Sequence, residues 1–167
     1  MKDKDVIEAQ LARVLGFFPR VDAKVSGLFT INSAILTISA LNVKAGDFRR
    51  WYIAVPAVAL LLCLGASLAF LYRCNFPELK GGGGSLIYFG SVQRRTEVEY
   101  KADLEAASDD AYRSDMIEQV WRNSVILCTK YREVALAIRL TLAALLPFVV
   151  FLTMTSIEHS SLPNLKG

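Results

Sequence analysis

Gln119, Asn123 and Lys130 fall four and then seven residues apart, so a helix through them places all three on one face, beside Trp121 and Leu127. Amides recurring on an otherwise apolar helix demand partners when buried, and the polar edge of a ligand can supply them. Upstream, Gly81 to Gly90 combines Gly-rich backbone with Ser85, Tyr88 and Phe89, and Arg94 and Arg95 follow. Backbone N–H groups of such a loop can point at a phosphate, and aromatic rings offer a stacking face for a base. This pattern assigns Arg94, Arg95 and Lys130 to a phosphate, Tyr88, Phe89 or Trp121 to a base, and Gln119 or Asn123 to the base edge. The plainer reading stands beside it: Gly-rich loops connect, aromatics pack, and a polar helical stripe is solvated. Gly-Gly-Gly-Gly-Ser is also the wording of engineered linkers, and we read it as native and flexible.

Other chemistries are poorly served. There is no GxSxG, Walker A or HExxH pattern, and His159 is the only histidine, so neither catalysis nor a metal centre is expected, and no cofactor. Cys63, Cys74 and Cys128 have no CxxC spacing and form an odd set, as structural thiols do. Between Glu97 and Glu118 eight acids face only Lys101 and Arg113, which would repel a nucleic acid polymer. A small anion at one basic cluster remains compatible with the net charge of +3.

These residues must be carried by a membrane protein. Apolar runs at 25–43, 51–72 and 135–157 hold 19, 22 and 23 residues, near the roughly 20 a helical crossing needs. Lys and Arg divide fifteen to four between the two sides, which places the N-terminus and the 73–134 insert in the cytoplasm and the C-terminus outside. The 167 residues are expected to form one module: an all-α protein with three spans, an N-terminal amphipathic helix and a small helical cytoplasmic lobe. Ile7, Leu11, Val14 and Phe18 make the stripe of that first helix, which Pro19 ends or kinks. Thr96 and Glu99 fit a capping box opening a helix toward Ala107. A second start near Asp109 or Asp110 leads, uninterrupted by Gly or Pro, into the third span, where Pro147 predicts a kink.

The first span is unusually polar. Ser26, Thr30, Ser33 and Thr37 share one face, Leu28, Ile31, Ile35 and Ile38 another, and Asn32 and Ser39 add further polar groups. Small hydroxyl residues let membrane helices pack closely, and the same stripe would also serve to line a pore. Gly65 and Ala69 form a small-xxx-small pair suited to close packing.

Arg20-Val21-Asp22-Ala23-Lys24 before a span bearing Asn32, then Ser85-Leu86-Ile87-Tyr88-Phe89-Gly90, then Gln119, Asn123 and Lys130-Tyr131 before the third span, stand in an order that resembles the transmembrane effector family of Pycsar antiphage systems. The resemblance covers roughly Leu15 to Ile157. It implies a bacterial inner membrane protein that senses a cyclic pyrimidine mononucleotide, cCMP or cUMP, made by a partner cyclase. The implied response is impaired membrane integrity, growth arrest and abortive infection, by a homo-oligomer in the lipid bilayer. Two rivals remain: a ligand-independent docking subunit of a membrane complex, and a CBASS-type effector gated by a cyclic oligonucleotide.

Overall fold

A computed structural model describes residues 4–76 and 83–160. Pro77, Gly81 and Gly82 lie outside the described residues. The elements are α1 (Lys4–Leu15), α2 (Phe18–Asn42), a 3-10 turn at Asp47–Arg49, α3 (Trp51–Asn75), α4 (Phe89–Val92), α5 (Glu97–Ala106) and α6 (Asp109–Ser160), with no strand among the described residues. The protein is thus all-α. Three helical stretches are long and apolar enough to cross a membrane: 4–42, 51–75 and 109–160. It is a membrane protein.

Local chemistry sets the helix boundaries. α1 closes where the Gly16 amide bonds the Ala12 carbonyl at 2.9 Å and the Phe17 amide the Val14 carbonyl at 3.1 Å. Pro19 therefore sits in the first turn of α2, where its missing N–H breaks no helical bond, and the interruption expected at Pro19 falls at Gly16–Phe17. The expected capping box forms: Glu99 Oε2 accepts from the Thr96 amide at 2.8 Å, and Thr96 Oγ1 accepts from the Glu99 amide at 3.3 Å. Ser108 opens α6, its Oγ accepting from the Ala111 amide at 3.2 Å. From there α6 runs 52 residues, continuous through Pro147. At 1.5 Å per residue it is about 78 Å long, more than twice a hydrocarbon core of about 30 Å.

The chain forms two compact units, 1–21 with 77–131 and 22–76 with 132–167. In the first, the lobe, Ile7, Val14, Val21 and Met116 are buried, so the α1 stripe faces inward. The Lys4 ammonium lies 4.9 Å from the Tyr112 ring centre.

The second is the membrane unit. Ile35, Leu60, Leu64 and Ala144 form one core cluster with Leu36, Cys63 and Phe148. Ile53, Ala57 and Phe151 form another with Val43, Tyr52, Leu152 and Met154. At one end, Glu158 pairs with Arg50 and accepts from the Tyr52 hydroxyl at 2.9 Å. There too His159 Nε2 lies 3.3 Å from buried Asp47, whose Oδ2 accepts from the Lys44 amide at 2.7 Å. Leu62, Leu142, Leu146 and Val149 are exposed, as lipid-facing side chains are. Gly65 and Ala69 also point outward: a methyl built on Gly65 meets nothing within 4 Å, so the pair joins no two helices of one chain.

Candidate functional site

In the lobe, a tight turn is tied to α6 by three polar side chains. Gly84 adopts φ +86°, a backbone that glycine accommodates without strain. Next to it, Ser85 Oγ accepts from the amides of Ile87 at 3.1 Å and Tyr88 at 2.9 Å and from Gln119 Nε2 at 3.2 Å, and donates to Asp115 Oδ2 at 3.0 Å. Asp115 Oδ2 also accepts from the Leu86 amide at 2.8 Å. The amides of residues 86, 87 and 88, which a phosphate cradle would use, are spent on the protein's own oxygens.

Arg95 clamps the same turn from the other side. Its guanidinium donates to the carbonyls of Gly84 at 2.8 Å, Ser85 at 2.9 Å and Ser91 at 3.2 Å, and to Asp103 Oδ2 at 2.9 Å. The Tyr100 hydroxyl adds a bond to the Leu86 carbonyl at 3.1 Å. Gly90 lies under the Tyr88 ring, where an added methyl would come within 2.7 Å of the ring carbon Cε1. The Tyr88 and Phe89 rings meet at a tilt of 55° with centroids 4.8 Å apart. On α5, the Glu99 carboxyl is held below the ordinary carboxylate range, first by the Thr96 backbone hydrogen bond and then by the Thr96 hydroxyl and Arg95.

A second polar node lies inside the membrane unit. Asn32 of α2 donates through Nδ2 to Ser67 Oγ of α3 at 2.9 Å, and Thr141 of α6 donates to Asn32 Oδ1 at 2.9 Å. Ser67 donates to the Ala137 carbonyl at 3.1 Å and lies 3.0 Å from Thr141 Oγ1. Asn32 and Ser67 are fully buried and Thr141 nearly so. Each helix thus gives one polar side chain to a network that apolar neighbours would leave unsatisfied elsewhere.

A family model described as "PycTM: Pycsar effector protein domain" matches residues 6–156. The chain belongs to the Pycsar effector domain family. No curated protein and no solved structure matches it. Membership makes it a membrane effector of Pycsar antiphage defence and links it to cyclic pyrimidine nucleotide signalling.

Within this Pycsar effector domain, the expected ligand residues are not all brought together. Gln119 and Lys130 are buried in the lobe, and the Lys130 ammonium lies 5.6 Å from the Phe18 ring centre. Asn123 donates to the Gln119 carbonyl at 2.8 Å, one turn back in its own helix. Tyr88 and Arg95 belong to the turn, while Phe89 and Arg94 are exposed. Trp121 is 65% exposed on a face of α6 turned away from Gln119, two residues before it.

The stripe proposed for packing or a pore stays out of the buried core, with Ser26 and Thr30 along an open groove that Leu68, Leu71 and Tyr72 of α3 also line. Ser26, Thr30 and Thr37 are exposed and Ser33 half-buried. Ser26, Thr30 and Thr37 donate to the carbonyls four residues back, at 3.1, 3.0 and 2.9 Å. The inward face of this span instead carries Val25, Asn32 and Ile35. Ile31 and Ile38, which sequence spacing grouped with Ile35, are exposed.

Sequence reasoning passed over Ser67, Thr141, Asp115 and Glu133. Ser67 and Thr141 are single hydroxyls in apolar runs, and Asp115 is one of eight acids. Glu133 was unremarkable beside Arg132, yet it is buried, with Arg73 and Arg132 each 3.7 Å from its Oε1 and no hydrogen-bond partner on Oε2.

Proposed function

We propose that this Pycsar effector binds cCMP or cUMP at its lobe and, as a homo-oligomer, then makes the inner membrane leaky, arresting growth and aborting infection. The observation that carries this reading is the continuity of α6. One unbroken helix bears Gln119, Asn123 and Lys130 and also Thr141, the α6 member of the buried membrane network. A ligand that shifts the first three therefore acts on the element that holds the fourth. Lys130 and Arg94 meet the phosphate, Tyr88 or Phe89 the base, and Gln119 or Asn123 its edge; Arg95 contributes by holding the turn.

No bond is made or broken in the ligand, so the effector is not an enzyme. Three helices cannot enclose an aqueous path, so leakage needs several copies, with the Ser26, Thr30, Ser33 and Thr37 stripe facing the path. Gating from 1:99 to 99:1 requires the ligand to favour the open state by about 5.5 kcal/mol. The lobe and N-terminus lie in the cytoplasm, where the cyclase product accumulates, and the C-terminus lies in the periplasm.

The test is purified protein in liposomes loaded with a self-quenching dye. Dye release on addition of cCMP or cUMP, but not of the linear monophosphates, is expected; silence with both cyclic nucleotides defeats the proposal. A ligand-free docking subunit is the second reading, favoured by the internal bonding of the Leu86–Tyr88 amides and of Arg95. It predicts no heat in a titration with either nucleotide.

A further inference from the structure

The lobe portion of α6 has a second face that the turn does not cover and that α1 borders only at Ile117, which lines a pocket with Val6, Ile7 and Gln10. Ile117 is 48%, Trp121 65% and Val125 48% exposed, and Ser124 and Cys128 are exposed beside them. At 100° per residue these five side chains fall within about 100° of one another around the helix. The span begins only at residue 135, so Trp121 stands about 20 Å of helix rise before the apolar run. Lipid does not account for an apolar strip at that distance, and a lone exposed tryptophan within one is an anchor in search of a partner.

We infer that this face, Ile117–Trp121–Ser124–Cys128 with Val125 at its side, pairs with the same face of a second copy of this chain. Three features select that occupant. The spacing of four, three and four is that of a coiled-coil seam, and it runs on in the sequence through Tyr131, Ala135, Ile138, Leu142, Leu145 and Val149. Membrane insertion gives every copy the same orientation, so identical helices meet in parallel and in register. A two-fold axis sets each residue against its own counterpart, which forbids like charges on the seam. The seam has none: Glu118 and Arg122 lie beside it and pair with each other within the helix. Confinement to two dimensions raises the effective concentration, so a short seam suffices. The inference does not depend on nucleotide binding.

Cys128 is a built-in reporter. In native membranes, Cys63→Ser/Cys74→Ser protein treated with a short bismaleimide is expected to give a band at twice the 18.5 kDa monomer. Moving the thiol about 100° around the helix, by Cys128→Ser with Thr129→Cys, is expected to reduce that band at least fivefold. Trp121→Glu in the Cys128-only background is expected to remove it. A Cys128 thiol that reacts fully with a monofunctional maleimide yet gives no dimer overturns the inference, as does equal cross-linking from position 129. An adduct of any mass other than the dimer's also overturns it, by showing a different occupant. If the Cys63/Cys74 variant does not accumulate, peptide mapping of cross-linked wild-type protein decides between the same outcomes: a Cys128–Cys128 peptide supports the pairing, and its absence rejects it.

Discussion

The Thr141 hydroxyl donates to Asn32 Oδ1 across 2.9 Å in the buried centre of the membrane unit, joining helices whose residues are 109 apart in sequence. With Ser67 donating to the Ala137 carbonyl, this bond closes a network between α2, α3 and α6. Its loss strands polar groups where neither water nor lipid replaces them. Asn32→Ala and Thr141→Val should each destabilise the protein by about 0.6–2 kcal/mol, the range for hydrogen bonds between membrane helices. Paired melting of single and double variants in nanodiscs checks this. Strict additivity would show that the two side chains do not act through each other.

Ser85 is the hub of the lobe turn. Ser85→Ala removes the acceptor of the Ile87 and Tyr88 amides and of Gln119, and Asp115→Ala removes that of Leu86. Each leaves partly buried donors unpaired, at a cost of about 1–3 kcal/mol. Hydrogen exchange at residues 86–88 should accelerate in both variants while exchange in residues 141–152 stays unchanged.

The capping box gives α5 an acid-sensitive start. The Glu99 carboxyl is held low by its bonds to Thr96, so its contribution is fully present above the ordinary glutamate value and is lost as pH falls through the lower folded value. The first turn of α5 should fray on acidification through that window, seen as faster exchange at residues 97–100. In Glu99→Gln this pH dependence should vanish.

Under the proposed function, Lys130→Ala should abolish killing without lowering expression, because that reading gives its ammonium, which lies near Phe18 in the lobe, to the ligand phosphate. A viability assay with an immunoblot of membrane fractions measures both; full killing by this variant would remove Lys130 from the ligand site.

Thr30→Leu with Ser33→Leu converts the middle of the exposed stripe to hydrocarbon. At Thr30, which is exposed and whose hydroxyl bonds back to the Ser26 carbonyl, the change costs little within one chain; Ser33 is half-buried. Leakage should stop while nucleotide affinity stays the same. Undiminished dye release would show that the stripe packs between copies or faces lipid and lines no path.

What residue order alone determined is local or additive. Apolar runs near 20 residues force spans because unsatisfied backbone cannot cross lipid, and the Thr96–Glu99 pair caps a helix through neighbours three residues apart. The absence of Gly and Pro between Asp109 and Pro147 likewise foretold the long helix, observed as Asp109–Ser160. Tertiary structure alone decided which polar residues face inward. Ser26, Thr30 and Thr37 make a more regular stripe than Asn32 does, yet they turn outward and bond to their own helix, while Asn32 turns in because Ser67 and Thr141 wait on the two other helices. Periodicity names a face without saying what it meets. In the same way Arg95 looked like a phosphate ligand by type, and folding brought four oxygens to it from Gly84, Ser85, Ser91 and Asp103. A donor's partner is fixed by distance in space, and distances of that kind are set only when the chain packs.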